Sequence, residues 1–262
     1  MKRIPLEFVK AALRDGTAPP SFVSNFLERK YTENATERRE LIVLNIAYTV
    51  YSAAIETTIS ATTTFFYVMA THPEAQRKAQ ERSMALYREV LRYQPPAPIG
   101  VAHALSEDDT YNGYFIPKGA TMLGNIWAMM RDEKKYPDPE DFKPERFFDA
   151  NGELNGDDKV LAYGFGRRIW VGKHIANATL WITFASIITC FDIRKAKDEH
   201  GNEVNGEYED EGLIIHKKPF KCSISPRSDQ ARRLVEDAVT LWMQSATCVR
   251  ESGCRDYDFT ID

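Results

Sequence analysis

Three short stretches of this sequence combine residue types that could do chemistry, and the first is a glycine-rich loop. The loop "YGFGRRIWVGKH", residues 163–174, places three glycines and two arginines around Trp170. The backbone N–H groups of such a loop, with the N-terminus of the helix predicted at 173–191, favour a negative charge. A cysteine thiolate placed there would be stabilised as an anion. The loop therefore suits an anionic group, although its centre carries the largest side chain of all.

The second stretch, "SAAIETTIS", contains a single carboxylate in an apolar segment. Glu56 is the one charge between Leu41 and Ala70, and Thr57 follows it. A lone carboxylate there is costly without a partner or a water-filled cavity. Two interpretations are open: Glu56 reaches an edge of the core, or Glu56 and Thr57 relay protons into a cavity.

The third stretch, "YREVLRY", contains an acid and a base on one helical face. Glu89 and Arg92 are three residues apart and can pair, although most such pairs are exposed to solvent and contribute little. Arg146 in "FKPERF" could add a bidentate contact to Glu89. A carboxylate held by two guanidiniums would attach a helix to an irregular segment, so the predicted role is structural.

Composition and charge narrow the class of protein. The 262 residues are 43% hydrophobic and carry a net charge of −4, which suits a globular protein and gives no broad basic field for nucleic acid. The cysteines, at positions 190, 222, 248 and 254, form no C-x-x-C pair, so neither a zinc site nor a redox dithiol is indicated. We expect an intracellular, reducing location.

The elements that must position these stretches are mainly helical. Leu41–Ala70 is predicted as one long buried helix rather than a membrane span, because Glu56 divides it into uncharged pieces that are too short. Small β elements are expected at residues 99–124, around the Asn112-Gly113 turn, and at residues 193–225. From residue 229 onward a charged helical tail is expected.

Taken in chain order, these stretches resemble the cytochrome P-450 family of haem-thiolate monooxygenases, above all its fungal members of secondary metabolism. "AAIETT" is similar to the Ala/Gly-Gly-x-Asp/Glu-Thr-Thr pattern of the oxygen-activating helix. "EVLR" matches the family's Glu-x-x-Arg, and "PERF" matches its arginine-bearing partner. "YGFGRRIWVGKHIA" resembles the haem loop Phe-x-x-Gly-x-Arg-x-Cys-x-Gly.

The resemblance implies a fold, roles for the matching residues, and partners. The fold would be mainly α with small β-sheets: a truncated P-450 fold with the later helices, the haem loop and the C-terminal strands, in a partial domain 1–228 and a tail 229–262 of unknown role. Implied catalytic residues are Glu56 and Thr57; implied haem-binding residues are His103, Gly166, Arg168, Trp170, Gly172 and Ala176; the implied structural triad is Glu89, Arg92 and Arg146. Haem, a reductase and a small hydrophobic substrate are implied too. The family is typically anchored at the endoplasmic reticulum, and we expect no such anchor in this chain.

Departures from the family pattern lead to the functional hypothesis. Trp170 occupies the position of the cysteine that binds iron, and an indole offers no lone pair for a metal, so no metal ligand is predicted. Tyr163 stands for Phe, and the stretch around residues 78–90 lacks a helix and loop that the family has. We expect a truncated, inactive homologue. The alternatives are an active enzyme with unusual ligation, for which His174 is one option, and a non-catalytic helical binding module.

Overall fold

The computed structural model confirms the mainly helical prediction and describes residues 3–32, 37–80, 83–157, 161–203, 208–209 and 213–251. Its helices are α1 (Arg3–Arg14), α2 (Phe22–Thr32), α3 (Glu37–Thr71), α4 (Pro73–Ala79), α5 (Ser83–Tyr93), α6 (Ile126–Met129), α7 (Lys173–Cys190) and α8 (Asp229–Glu251). Its strands are β1 (His103–Ala104), β2 (Asp109–Tyr111), β3 (Tyr114–Ile116), β4 (Thr121–Met122), β5 (Phe191–Lys195), β6 (Tyr208–Glu209), β7 (His216–Lys217) and β8 (Cys222–Pro226). Single turns of 3₁₀ helix lie at Pro144–Phe147, Leu161–Tyr163 and Gly166–Arg168.

The strands form small antiparallel pairs at the two places that the sequence predicts. β1 pairs with β4, and β2 pairs with β3 around the Asn112-Gly113 turn. Asn112 and Gly113 both adopt left-handed conformations, with φ of 50° and 83°, as the two central residues of a type I′ hairpin turn do. β5 pairs with β8, with Ile193 opposite Ile224, and β6 pairs with β7.

The chain divides into two compact units, residues 1–59 and 60–262, with the boundary inside α3. In the first unit a small core is formed by Leu6, Leu27 and Leu44. α8 belongs to the second unit, so a separate role for residues 229–262 stays a prediction.

α3 is one continuous helix, as predicted, but the prediction that it is buried is wrong for its first part. Leu41, Val50 and Tyr51 are more than half exposed, at 54%, 61% and 66%, whereas Phe65 and Val68 are fully buried. The helix is apolar on most sides, so hydrophobic periodicity did not show where burial begins. By length and composition alone, Glu40–Thr71 is also long enough to cross a membrane, as the core helices of many soluble proteins are.

The core of the second unit is built around α5 and α7. Phe184 of α7 stacks on Phe65 of α3 with ring centroids 4.2 Å apart and an angle of 6° between the planes. Leu180 and Ile188 lie one turn before and after Phe184 and are buried with it, so α7 contributes one face to the core. The fixed position of α7 in turn fixes the loop that leads into it.

The middle of β5, on the edge that does not face β8, is hydrogen-bonded to a side chain rather than to another strand. The amide of Gln76, buried in α4, donates to the carbonyl of Ile193 at 2.9 Å and accepts from its N–H at 2.8 Å. Both backbone groups of Ile193 are thereby satisfied on the side away from β8. Gln76 thus joins α4 to the strand that follows α7.

His72, just before α4, gives the stability of this unit a pH dependence. Its imidazole lies beside Phe142 and Tyr93, and burial lowers its pKa below the ordinary 6.5, although its contact with the Val68 carbonyl and the charge of Asp141 oppose the shift. The unfolded chain then binds a proton at His72 more readily than the folded chain does. The contribution of His72 to stability is therefore fully present above pH 6.5, and it is lost as the pH falls from there through the folded-state pKa. We expect the urea midpoint to fall between pH 7.5 and pH 5.5 by more in the native chain than in His72→Gln. An equal fall in both proteins would contradict this assignment.

Candidate functional site

A buried charge cluster joins α5 to the irregular segment at residues 137–147. Arg92 donates from Nε to Glu89 Oε2 at 2.7 Å and from Nη2 to Oε1 at 2.9 Å, and both side chains are fully buried. Arg146 places Nε 3.2 Å from the same carboxylate. The structure therefore brings together the three residues of the predicted triad, with Glu89 between two guanidiniums.

The remaining donors of this cluster bind backbone carbonyls. Arg92 donates to the carbonyls of Met130 and Pro139, at 3.1 and 2.9 Å. Arg146 donates to the carbonyls of Pro137, Asp138 and Asp141, at 2.8 to 3.1 Å. The charges are therefore both paired and hydrogen-bonded, which is what their burial requires. The cluster fixes a segment that has little secondary structure of its own.

The glycine loop at residues 163–172 turns back on itself. Gly164 and Gly166 have φ of 75° and 67°, left-handed conformations that a side chain would strain. The N–H of Trp170 donates to the carbonyl of Tyr163 at 3.1 Å, which closes the loop, and Gly172 is the N-cap residue of α7. The indole lies over Gly172, its Nε1 only 3.4 Å from where a Cβ on that glycine would be. Trp170 is half-buried and packs against the core, so its indole lies between the core and the end of the loop at Gly172.

A hydrogen-bonded cluster that sequence reasoning missed lies behind the loop. The hydroxyl of Tyr163 is 3.0 Å from that of Tyr87 in α5, and the Tyr87 hydroxyl donates to Oδ1 of Asn177 in α7. Burial raises the pKa of both tyrosines above the ordinary 10, and by more for Tyr87. These residues are far apart in sequence, and the one available signal was the Tyr at position 163 where the family pattern has Phe.

Of the other residues expected around a haem, all but Ala176 lie at the surface of the second unit. His103 is exposed in β1 opposite Met122, and Gly166 and Arg168 are exposed in the loop. Ala176 packs against the core in the first turns of α7. His174, considered as a substitute ligand, is exposed in the first turn of α7.

A second contact that the sequence did not predict joins the loop to the segment after β4. The ring of Phe165 lies against Gly124, and its Cζ would be 3.0 Å from a Cβ at that position. Any side chain at 124 would therefore push the ring aside.

Glu56 and Thr57 belong to the first compact unit, whereas the glycine loop belongs to the second. Glu56 is exposed, and the Thr57 hydroxyl is half-buried and donates to the carbonyl of Ala53 at 2.7 Å. Exposure of Glu56 favours the interpretation in which it reaches an edge of the core. A role in proton transfer stays a prediction.

Comparison with known proteins decides the family. A profile for Cytochrome P450 matches residues 4–86 and 83–224, which together are most of the chain. This chain belongs to the cytochrome P450 family. The two matched pieces meet at residues 83–86, within the stretch where we expect a helix and loop to be missing.

Several fungal P450 proteins are similar to this chain, in agreement with the resemblance. Cytochrome P450 monooxygenase claR of Ampulloclitocybe clavipes is 38% identical over 254 residues, which cover 88% of this chain and 47% of the relative. Cytochrome P450 monooxygenase 98 of Postia placenta is 36% identical, over 90% of this chain and 50% of the relative. Cytochrome P450 monooxygenase 208 of the same fungus is 39% identical, over 88% and 49%. The chain thus spans about half the length of the curated relatives it matches.

The family implies haem as cofactor, but the donor set around the loop does not fit the iron. Trp170 provides an N–H and no lone pair at the position of the P450 thiolate. Neither of the cysteines whose side chains the structure describes lies in the loop: Cys190 is at the opposite end of α7, about 26 Å along the helix axis from Lys173, and Cys222 is in β8. Within that same part no group of three or more His, Cys, Asp or Glu side chains could hold a metal ion.

Proposed function

We propose that this chain is a cytochrome P450 homologue that keeps the haem-loop scaffold but does not support thiolate-dependent oxygen activation. One observation carries the proposal: Trp170 occupies the ligand position in a loop that is otherwise folded, and its indole packs over Gly172 within the loop. In the family the thiolate both binds iron and donates the electron density that favours O–O cleavage. A side chain that can do neither removes the chemical basis of the reaction.

The activity of the family shows which reaction this chain would no longer catalyse. The relatives are named as monooxygenases, and the family uses haem, a redox partner and a hydrophobic substrate. We propose that this chain descends from an enzyme that oxidised a small hydrophobic metabolite with electrons from a reductase. An intracellular location near the endoplasmic reticulum is proposed on the same ground.

Spectroscopy of the haem-reconstituted chain tests the proposal. The purified protein is incubated with haem, reduced, and exposed to carbon monoxide, and a full-length fungal relative is treated in the same way. We expect the thiolate-type shift of the Soret band in the relative and none in this chain, because no sulfur reaches the iron. A thiolate-type band in this chain would refute the proposal. A band typical of imidazole ligation would instead support the alternative of unusual ligation, with His174 as the first candidate.

Two variants at position 170 show whether the indole is what prevents thiolate ligation of the haem iron. Trp170→Phe keeps an aromatic ring and should behave as the native chain does. Trp170→Cys restores the family residue in a loop whose backbone is already closed by the hydrogen bond to Tyr163. We expect the thiolate-type band in Trp170→Cys alone, and its absence from both variants would show that position 170 is not what prevents ligation.

A further inference from the structure

Two departures from the P450 pattern occur in the same loop, and the structure connects them. Position 170 loses the ligand, and position 163 gains a hydroxyl. That hydroxyl lies 3.0 Å from the hydroxyl of Tyr87. Because Tyr87 gives its one proton to Oδ1 of Asn177, Tyr163 must be the donor to the Tyr87 oxygen. The result is a directed chain of hydrogen bonds from the loop through α5 to α7.

Burial makes this chain of hydrogen bonds costly to break. Tyr87 is 5% exposed and Tyr163 is 9% exposed, so a hydroxyl that lost its partner would find little water to replace it. Burial raises the pKa of both tyrosines above the ordinary 10, so both hydroxyls keep their protons around neutral pH. The hydrogen bonds therefore persist independently of ordinary changes in pH.

Tyr163 transmits this constraint to the rest of the loop through its backbone. Its carbonyl accepts the N–H of Trp170 at 3.1 Å, and the next N–H, of Gly164, donates to Leu161 at 2.8 Å. The far end of the loop runs into α7, which carries Asn177. Both ends of the loop are thereby tied to the same cluster.

We propose that Tyr87, Tyr163 and Asn177 form a clasp that holds loop 163–172 in its folded shape without any metal–ligand bond. The clasp takes the place of the constraint that a bound iron provides in the family. It goes beyond the proposed function and does not rest on it, because it is tested on the chain without haem. The clasp and the proposed function are therefore tested by different measurements, and either can be wrong without the other.

Amide hydrogen exchange of the full chain without haem tests the clasp. Tyr163→Phe removes the hydroxyl while keeping the ring and a residue that the family pattern accepts. We expect the amides of Gly164 and Trp170 to exchange about tenfold faster, as loss of one buried hydrogen bond implies. Amides in α4 and β5 should keep their native rates. Tyr136→Phe is the matched control, because its hydroxyl is also in a buried residue and donates to Asp157 at 3.0 Å, outside the loop.

A second variant separates a clasp from two independent hydrogen bonds. Tyr87→Phe removes the central hydroxyl and should accelerate loop exchange at least as much as Tyr163→Phe does. The double variant should match Tyr87→Phe alone, because the outer hydroxyl has no partner once the central one is gone. If the acceleration of loop exchange in the double variant equalled the product of those in the two single variants, the clasp would be wrong. Unchanged loop exchange in Tyr163→Phe would also overturn it, as would equal acceleration across residues 60–226, which would show general support of the core only.

Discussion

Replacing Glu89 by alanine is expected to lower the free energy of unfolding of the second unit by about 3–5 kcal/mol, the usual loss when one partner of a buried ion pair is removed. The carboxylate accepts from Arg92 twice and from Arg146 and also receives the N–H of Lys143 at 2.8 Å. Its removal leaves two buried guanidiniums without a counter-charge. Urea unfolding followed by tryptophan fluorescence measures the effect, since all four tryptophans lie beyond residue 60.

An exposed ion pair in α4 provides the control for this change. Glu74 pairs with Arg77 at 3.0 Å, with both side chains more than half exposed. Glu74→Ala should cost less than about 1 kcal/mol, because solvent screens such pairs. If Glu89→Ala cost no more than Glu74→Ala, the cluster would not be what fixes residues 137–147.

Truncation of Phe184 to alanine is expected to cost about 3–5 kcal/mol, as is usual for a fully buried phenylalanine. Phe184 is 0% exposed, stacks on Phe65 and lies 6.4 Å from the ring of Tyr87. The cavity would therefore open next to α5 and on the face of α7 that sets the position of the glycine loop. The urea midpoint, followed by tryptophan fluorescence, should fall accordingly.

The same helix supplies the matched control for Phe184. Ile182 lies two residues earlier on the opposite side of α7 and is 53% exposed. Ile182→Ala should change stability by no more than about 0.5 kcal/mol, as surface substitutions usually do. Equal losses in the two variants would mean that α7 is buried on both sides in solution.

Local spacing in the sequence predicted part of the site. Glu89 and Arg92 are one helical turn apart, so their pairing follows from helix geometry. Arg146 was proposed as a further partner because a guanidinium can contact a carboxylate in bidentate fashion, and the resemblance agreed with that choice. The loop, the helix after it and the small sheets followed from glycine positions, hydrophobic runs and one Asn-Gly turn. These are features that neighbouring residues determine among themselves.

The remainder depends on contacts between residues that are distant in the chain. Tyr87 lies 76 residues from Tyr163 and 90 from Asn177, and no local pattern relates them. The partial exposure of α3 was missed for a different reason. A helix that is apolar on most sides gives the same hydrophobic signal whether or not it is covered, so only the tertiary structure shows where the core begins.

The amide of Gln76 has a consequence for the behaviour of this chain at high concentration. A strand with free N–H and C=O groups is a template on which another molecule can add its own strand, and growth can then continue from copy to copy. Gln76 occupies both groups of Ile193 on the open side of β5, so that route to aggregation is blocked there without a further strand. One glutamine thus does for this short sheet what a proline, a bulge or a charged border does in larger ones.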